Sequence, residues 1–385
     1  MQLLWIISLS LLLVYLLRIV SYLSGWYRIG KNPAKPAENT GVSIVIALRD
    51  EEANIGHLIK DLVGQDYPGD RLEIILIDDN SSDKTPEIVN HYLGSDDRLR
   101  YMKLESSEQG KKAALLKGIS AATHPVILST DGDCRVKKNW VSGMVAGFSD
   151  TAVKMIIGTV IFEPDRGIFQ AMQSLEFFSL TAVSAGSAGL NNPILCNAAN
   201  LAYYRDDFLH FIEEREERSA SGDDIFLMLW LKKRYPGSIR FLSTHGSSVS
   251  TPPAANLSSF SMQRMRWSSK SRFYRDWHMV TTALLVYGLN ALLLALLIAF
   301  FLEFLKKGSW NEELPLLFGS LFVGKALIDL IILQPVLRHY KKTKLLWFFI
   351  PLGIIYFMYV SLIGLFGQFF SFSWKGRRVP VSKQN

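Results

Sequence analysis

The sequence predicts a doubly wound α/β domain held between apolar helices of membrane-crossing length. Three observations carry this. Short β-branched runs alternate with helical segments between about residues 40 and 130. One long apolar stretch precedes that region and three follow it. Clusters of carboxylates stand where the runs end, which is where open α/β sheets bind ligands.

Of the 385 residues 49% are hydrophobic and 20% charged, and the mean hydropathy is +0.16. That excludes a disordered chain and favours membrane segments beside a soluble part. The net charge of +7 calls for no nucleic-acid partner. Its Lys and Arg crowd near the apolar stretches, as suits membrane lipid headgroups. Cys134 and Cys196 give no disulfide framework and fit a reducing compartment.

The first apolar stretch, about Leu3 to Val20, lacks a small-residue cleavage site after it and reads as an uncleaved anchor. The others run from Met279 to Leu302, about Leu314 to Leu337 and about Leu345 to Phe372. Arg28, Lys31 and Lys35 after the first, and Arg264, Arg266, Lys270, Arg272 and Arg275 before the second, place the intervening part in the cytosol. Arg338, Lys341, Lys342 and Lys344 place the loop after the third stretch on the same side. Four plain crossings would then leave Lys375, Arg377 and Arg378 outside, so either the charge rule fails there or one late segment is re-entrant. Lys325 and Asp329, four apart in the third stretch, can pair on one helix face.

Within the soluble part, Val42 to Leu48 reads as a buried strand, and Asp50 to Asn54 as the start of a helix that continues through Ile55, Leu58, Ile59, Leu62 and Val63. Leu72 to Ile77 is a second strand ending in Asp78-Asp79-Asn80-Ser81-Ser82-Asp83, with a helix from Thr85 to Leu93. A third strand is expected at Leu99 to Leu104, a helix at Lys111 to Ala122 and a fourth strand at Pro125 to Thr130. The Gly/Ser-rich patch Ser184 to Gly189 reads as a flexible connection.

Five motifs bear on chemistry, each with a plainer alternative. Asp131-Gly-Asp133 after the fourth strand can give two carboxylates to a hard divalent cation, or be an ordinary turn. Asp78-Asp79 can accept from a base imide or a ribose hydroxyl, or cap the next helix. Gly110-Lys111-Lys112 opens a helix with cations, against the macrodipole, which a diphosphate would justify, or is a solvated pair of lysines. Gly222-Asp223-Asp224 stands before the apolar run Ile225 to Leu231, where either acid can cap the helix or serve as a base. Gln263-Arg264-Met265-Arg266-Trp267 can grip phosphate and a sugar face, or be an interfacial belt.

Taken in order, these motifs resemble the membrane-bound branch of family-2 glycosyltransferases, the group with cellulose, chitin, hyaluronan and poly-N-acetylglucosamine synthases and ceramide glucosyltransferases. Val42-Ser-Ile-Val-Ile-Ala-Leu-Arg-Asp-Glu51, Asp78-Asp79-Asn-Ser, Gly110-Lys111, Asp131-Gly-Asp133, Gly222-Asp-Asp224 and Gln263-x-x-Arg266-Trp267 stand in the family's order. Cys196-Asn-Ala-Ala-Asn200 and Thr251-Pro252-Pro253 are similar too. The chain has Arg-Asp-Glu where Tyr-Asn-Glu is common, and Asp223 where Glu is frequent.

The resemblance implies a GT-A-type nucleotide-sugar-binding fold. Ala47, Arg49 and Glu51 would line a uridine pocket, with Asp79 on the base, Lys111 near the diphosphate and Asp131 on the donor. Asp133 would hold Mg²⁺ or Mn²⁺ and Asp224 would be the base. Asp223, Gln263, Arg266 and Trp267 would serve the diphosphate or acceptor. The expected organisation is an anchor at 1–22, a cytosolic catalytic domain with interfacial helices at 40–278, a membrane region at 279–372 and a basic tail at 373–385. The expected activity is inverting transfer of a hexose or N-acetylhexosamine from a UDP-sugar to a lipid-linked or glycan acceptor. The setting would be the cytosolic face of a bacterial inner membrane. A processive polysaccharide synthase and a non-catalytic nucleotide- or glycan-binding subunit are the alternatives, and the sequence sets no oligomeric state.

Overall fold

The computed structural model describes residues 1–29, 40–215, 222–308 and 312–367, and the backbone of 372–374 and 377–379. Lys31, Lys35 and Lys375 lie outside the described residues.

An apolar helix, α1 (Gln2–Arg28), leads into the α/β part. That part begins β1 (Val42–Leu48), α2 (Ile55–Val63), β2 (Leu72–Asp78), α3 (Thr85–Tyr92), β3 (Leu99–Lys103), α4 (Lys111–Ala121) and β4 (Val126–Ser129). It continues through β5 (Arg135–Val136), α5 (Trp140–Val145), β6 (Met155–Gly158), β7 (Val160–Phe162) and α6 (Ile168–Gly189). Then come β8 (Leu201–Tyr204), α7 (Arg205–Glu214), α8 (Asp223–Arg234), β9 (Ile239–Leu242), β10 (Val249–Thr251) and α9 (Leu257–Ser269). Three apolar helices, α10 (Trp277–Lys307), α11 (Glu313–His339) and α12 (Phe349–Phe366), follow, and then the strands β11 (Phe372–Trp374) and β12 (Arg377–Val379).

The main sheet has the order β3-β2-β1-β4-β8-β6-β9. Strands β1 to β4 are mutually parallel, and β8 runs antiparallel between β4 and β6. The parallel half was expected. The mixed half was not, because β6, β8 and β9 are four residues each and carry no long periodic signal. Along β1, Val42, Ile44, Ile46 and Leu48 face the side covered by α2, while Val45 faces the α4 side. The α4 side is continuous with the apolar helices: Tyr22 and Trp26 of α1 and Phe178 of α6 belong to the same core. The domain and the helices are therefore packed as one body on that face.

Four local expectations need correcting. The Ser184–Gly189 patch is not a connection but the last turns of α6. Its small residues let α1 approach closely, since a Cβ on Gly186 would lie 2.4 Å from the Tyr22 carbonyl and one on Gly25 would strike the Gly186 carbonyl. Such close backbone approach gains dispersion contacts that a larger side chain would prevent. Gly186→Leu is expected to push the helices apart and cost about 1–3 kcal/mol, seen as a lowered unfolding midpoint in detergent. Second, Asp50 to Asn54 form a loop before α2, with Asp50 at φ 50°. Third, Asp78 and Asp79 do not cap α3; Asp83 accepts from the Thr85 N–H there instead. Fourth, neither Asp223 nor Asp224 caps α8, because both stand inside its first turn and Gly222, at φ 100°, turns the chain into it.

Four helical segments are long and apolar enough to cross a membrane: Gln2–Arg28, Trp277–Lys306, Glu313–His339 and Thr343–Phe366. The last is tied at both ends to the α/β side. Lys342, just before it, bonds Asp165 at 2.8 Å. Near its end the Ile363 carbonyl accepts from Ser268 of α9 at 3.4 Å. A re-entrant segment would be anchored in this way.

Candidate active site

The β1 and β2 ends are stitched together by hydrogen bonds. Arg49 donates to the carbonyls of Asp79 and Asn80 at 2.7 and 3.3 Å. The Glu51 N–H donates to Thr85 Oγ1 at 2.7 Å, and the Ser82 N–H to Asp50 at 2.8 Å. Asp79, fully buried, accepts from the Gly110 N–H at 3.1 Å and so fixes the start of α4. Ala47, on the penultimate position of β1, is half-buried beside this loop pair. Ala47, Arg49, Glu51 and Asp79 thus form one wall, with Lys111 at its lip.

β4 sits beside β1 and delivers Asp131 and Asp133 on one tight turn, closed by the Cys134 N–H donating to the Asp131 carbonyl at 3.1 Å. Lys111 pairs with Asp131. Burial opposes the Lys111 charge, but Asp131 and, less closely, Asp224 outweigh it, so its ammonium is held above the usual lysine range. From the side of the apolar helices comes Arg266 of α9. Burial pushes its guanidinium down, while Asp131, Asp224 and Asp133 oppose that in order of strength. Three carboxylates and two cations from separate stretches of chain therefore face one another across the strand ends.

Asp224 is held by the Cys196–Asn200 stretch, whose part in positioning it could not be read from the sequence. Its Oδ2 accepts from the Ala198 N–H at 3.2 Å, in the turn where Asn197 bonds the Ala199 N–H. Asn200, fully buried, locks that turn: it donates to the carbonyls of Thr159 and Ser247 and accepts from the Trp140 indole, at 2.8, 2.8 and 2.9 Å. Cys196 and Tyr274 flank Asp224. Burial first, and then this carboxylate, push the Cys196 thiol and the Tyr274 phenol above their usual pKa ranges, so both stay protonated. Asp223 points elsewhere, into an ion pair with Arg215.

α9 places the last motif. Gln263 bonds Arg264 at 2.7 Å, and Trp267 packs towards Phe177. Between them Arg264 turns inward, 5% exposed, and lies 4.5 and 4.3 Å from the ring centres of Phe260 and Trp267. It pairs with buried Glu176 of α6 at 2.6 Å, and Glu176 also accepts from Tyr359 of α12. This clamp ties the motif helix to the apolar bundle. Its one sequence signal was a lone acid, Glu176, inside the apolar run of α6.

Among the described residues no group of three or more His, Cys, Asp and Glu is poised to hold a metal. Asp131 and Asp133 still fit one, because Mg²⁺ and similar ions take one or two carboxylates and complete their shell with substrate phosphates and water.

Residues 43–212 match the model of Glycosyl transferase family 2. Glycosyltransferase AglE of Haloferax volcanii is 30% identical over 192 residues, which is 50% of this chain and 60% of that protein. The β-monoglucosyldiacylglycerol synthase of Synechocystis is 33% identical over 109 residues, 28% of this chain and 23% of that one. Among solved structures, mannosyltransferase PcManGT of Pyrobaculum calidifontis, in complex with GDP-Man and Mn²⁺, aligns over 94% of this chain and 96% of its own. Its TM-score is 0.55 at 14% identity, a likeness of fold. The chain carries a family-2 glycosyltransferase domain, and its α/β part has the GT-A-type fold. It spans 60% of the length of AglE and 23% of that of the Synechocystis synthase.

Proposed function

We propose that the protein transfers a hexose or N-acetylhexosamine from a UDP-sugar to a lipid-linked or glycan acceptor, with inversion, at the cytosolic face of a bacterial inner membrane. The observation that carries this reading is the meeting of Asp131, Asp133 and Asp224 with Lys111 and Arg266 at the strand ends. A cation-poor site would repel a diphosphate, and an acid-poor site could not bind its metal or deprotonate an alcohol.

The wall of Ala47, Arg49, Glu51 and Asp79 takes the uridine. Lys111 leaves Asp131 for the diphosphate when donor enters, because a dianionic partner outcompetes a single carboxylate. Asp133, aided by Asp131, holds Mg²⁺ or Mn²⁺, which when bound supplies charge neutralisation at the leaving group. Arg266 adds a fixed positive charge on the side facing the membrane. Asp224, oriented by the Ala198 N–H, accepts the proton of the attacking hydroxyl. Attack opposite the diphosphate inverts the anomeric carbon.

Calorimetry tests the donor half. UDP-sugar binding is expected to weaken at least tenfold on chelation of divalent cations, and Asp133→Ala is expected to abolish the cation's effect. Donor affinity that is indifferent to chelation would contradict the proposed metal role. The PcManGT complex makes GDP-mannose the control donor.

A further inference from the structure

Helices α10 and α11 form an outgoing and a returning limb. Asp276, which caps α10, pairs with Lys232 of α8 at 2.7 Å, so α10 leaves from the α/β domain. His339, at the end of α11, bonds the Ser243 carbonyl at 2.6 Å, so α11 comes back to it. A fourth crossing by α12 would leave the domain beside the end of α11. Its first residues would then meet the second half of α11, and its last residues the second half of α10. The contacts run the other way. A Cβ on Gly353, near the start of α12, would lie 3.6 Å from the Phe322 ring in the first half of α11. One on Gly364, near its end, would lie 2.5 Å from the Tyr287 ring in the first half of α10. Between them Phe357 reaches Phe318 of α11, with ring centres 5.9 Å apart.

The chain beyond α12 stays with the domain. A Cβ on Gly367 would lie 2.9 Å from Ser268 at the end of α9, and β11 lies against the same helix. Within α12, Tyr359 bonds Glu176 of α6, and its ring centre is 5.6 Å from that of Phe260 of α9. The 18 residues of α12 make about 27 Å of helix at 1.5 Å per residue. Both ends could not lie against the domain if that length stood across a ~30 Å hydrocarbon layer. One face of α12 is apolar and uncovered: Ile354, Met358, Leu362 and Phe366 recur every four residues and are all exposed. The opposite face, with Gly353, Tyr356 and Val360, lines a cavity of about 840 Å³ beneath α9.

We infer that α12 is a re-entrant floor rather than a fourth crossing: its exposed apolar face is seated in the acyl chains of the leaflet on the domain's side, and the chain after it returns to that side. Helical backbone groups at that depth are paired within the helix, so the dip exposes none of them to lipid. The basic tail residues Lys375, Arg377 and Arg378 then stand on the same side as the other basic flanks, which removes the conflict raised by four crossings. Leu293 and Phe357 line the cavity and, with Leu317 and Leu321, form a buried cluster that closes it towards the far leaflet. A site floored in this way exchanges its acceptor and product with the near leaflet and threads no polymer across the bilayer, a consequence that rests on the transferase reading.

The test uses the full chain in sealed membrane vesicles with the α/β domain outward. A protease-cleavable tag stands either after Gly308, between α10 and α11, or at the C-terminus. External protease is expected to remove the C-terminal tag and to spare the one after Gly308 until detergent is added. A C-terminal tag shielded like the one after Gly308 would make α12 a crossing and overturn the inference. Cleavage of both tags in sealed vesicles would also overturn it, because α10 and α11 would then not span the bilayer that α12 is said to enter from one side. With external UDP-sugar supplied, the transferred sugar is expected to be open to an external glycosidase. Product shielded until detergent is added would overturn the closed floor. Absence of turnover beside an exposed C-terminal tag would sink the transferase reading and leave the re-entrant helix standing.

Discussion

Asp224→Asn is expected to lower turnover by about 10²–10⁴-fold, the range removed with a general base, while donor affinity changes little. The amide keeps the shape of the carboxylate, and its oxygen can still accept from the Ala198 N–H that orients the native side chain at 3.2 Å. What it loses is the ability to take a proton. Steady-state kinetics separate the cases. A fall in kcat with a nearly constant KM for donor supports the base. A raised KM with kcat preserved would mean that Asp224 only binds. Retained turnover would remove it from the chemistry.

The second large effect falls on a pair outside the motifs. Glu176→Ala is expected to destabilise the protein by about 3–5 kcal/mol, because it leaves Arg264 buried without its counter-charge. Arg264 is 5% exposed and Glu176 6% exposed, so water cannot replace the lost partner. Glu176→Leu combined with Arg264→Met is expected to recover most of that loss, since an apolar pair of similar volume removes both desolvation costs. The recovered protein should still turn over more slowly than the wild type, because the tie from α9 to α6 and α12 is gone and Arg266 is less well held. Denaturant unfolding in detergent and kcat on the same samples check both parts. If the single variant is as stable as the wild type, the clamp is not structural.

The parallel half of the fold was legible because β1 and β2 are seven-residue apolar runs and the helices between them are amphipathic. The strands after β4 were missed because they are two to four residues long and lie close to loops. The Ser184–Gly189 patch misled for a physical reason: in water small residues favour turns, but between two apolar helices they permit contact. Within the site, the acids were found because each follows a strand or opens a helix. Three things could not be read from spacing. The Ala198 N–H that holds Asp224 belongs to a turn set by Asn200 contacts 41 to 60 residues away in sequence. Asp223 and Asp224 are adjacent and alike in type, yet only the fold turns one to Arg215 and the other to the cleft. Arg264 and Arg266 likewise differ by two positions on one helix, which sends the first into the bundle and the second to the carboxylates.

The most direct test of the central claim is nucleoside-diphosphate release by the purified full chain in lipid vesicles. It would be measured over a panel of UDP- and GDP-sugars with Mn²⁺, with Mg²⁺ and with a chelator. A metal-dependent inverting transferase is expected to release UDP from at least one UDP-sugar, and only with the cation present. That release should be lost in Asp133→Ala and Asp224→Asn, and should come with a lipid or glycan product of inverted configuration. Binding of nucleotide with no release from any donor would contradict the claim and leave a non-catalytic binding protein.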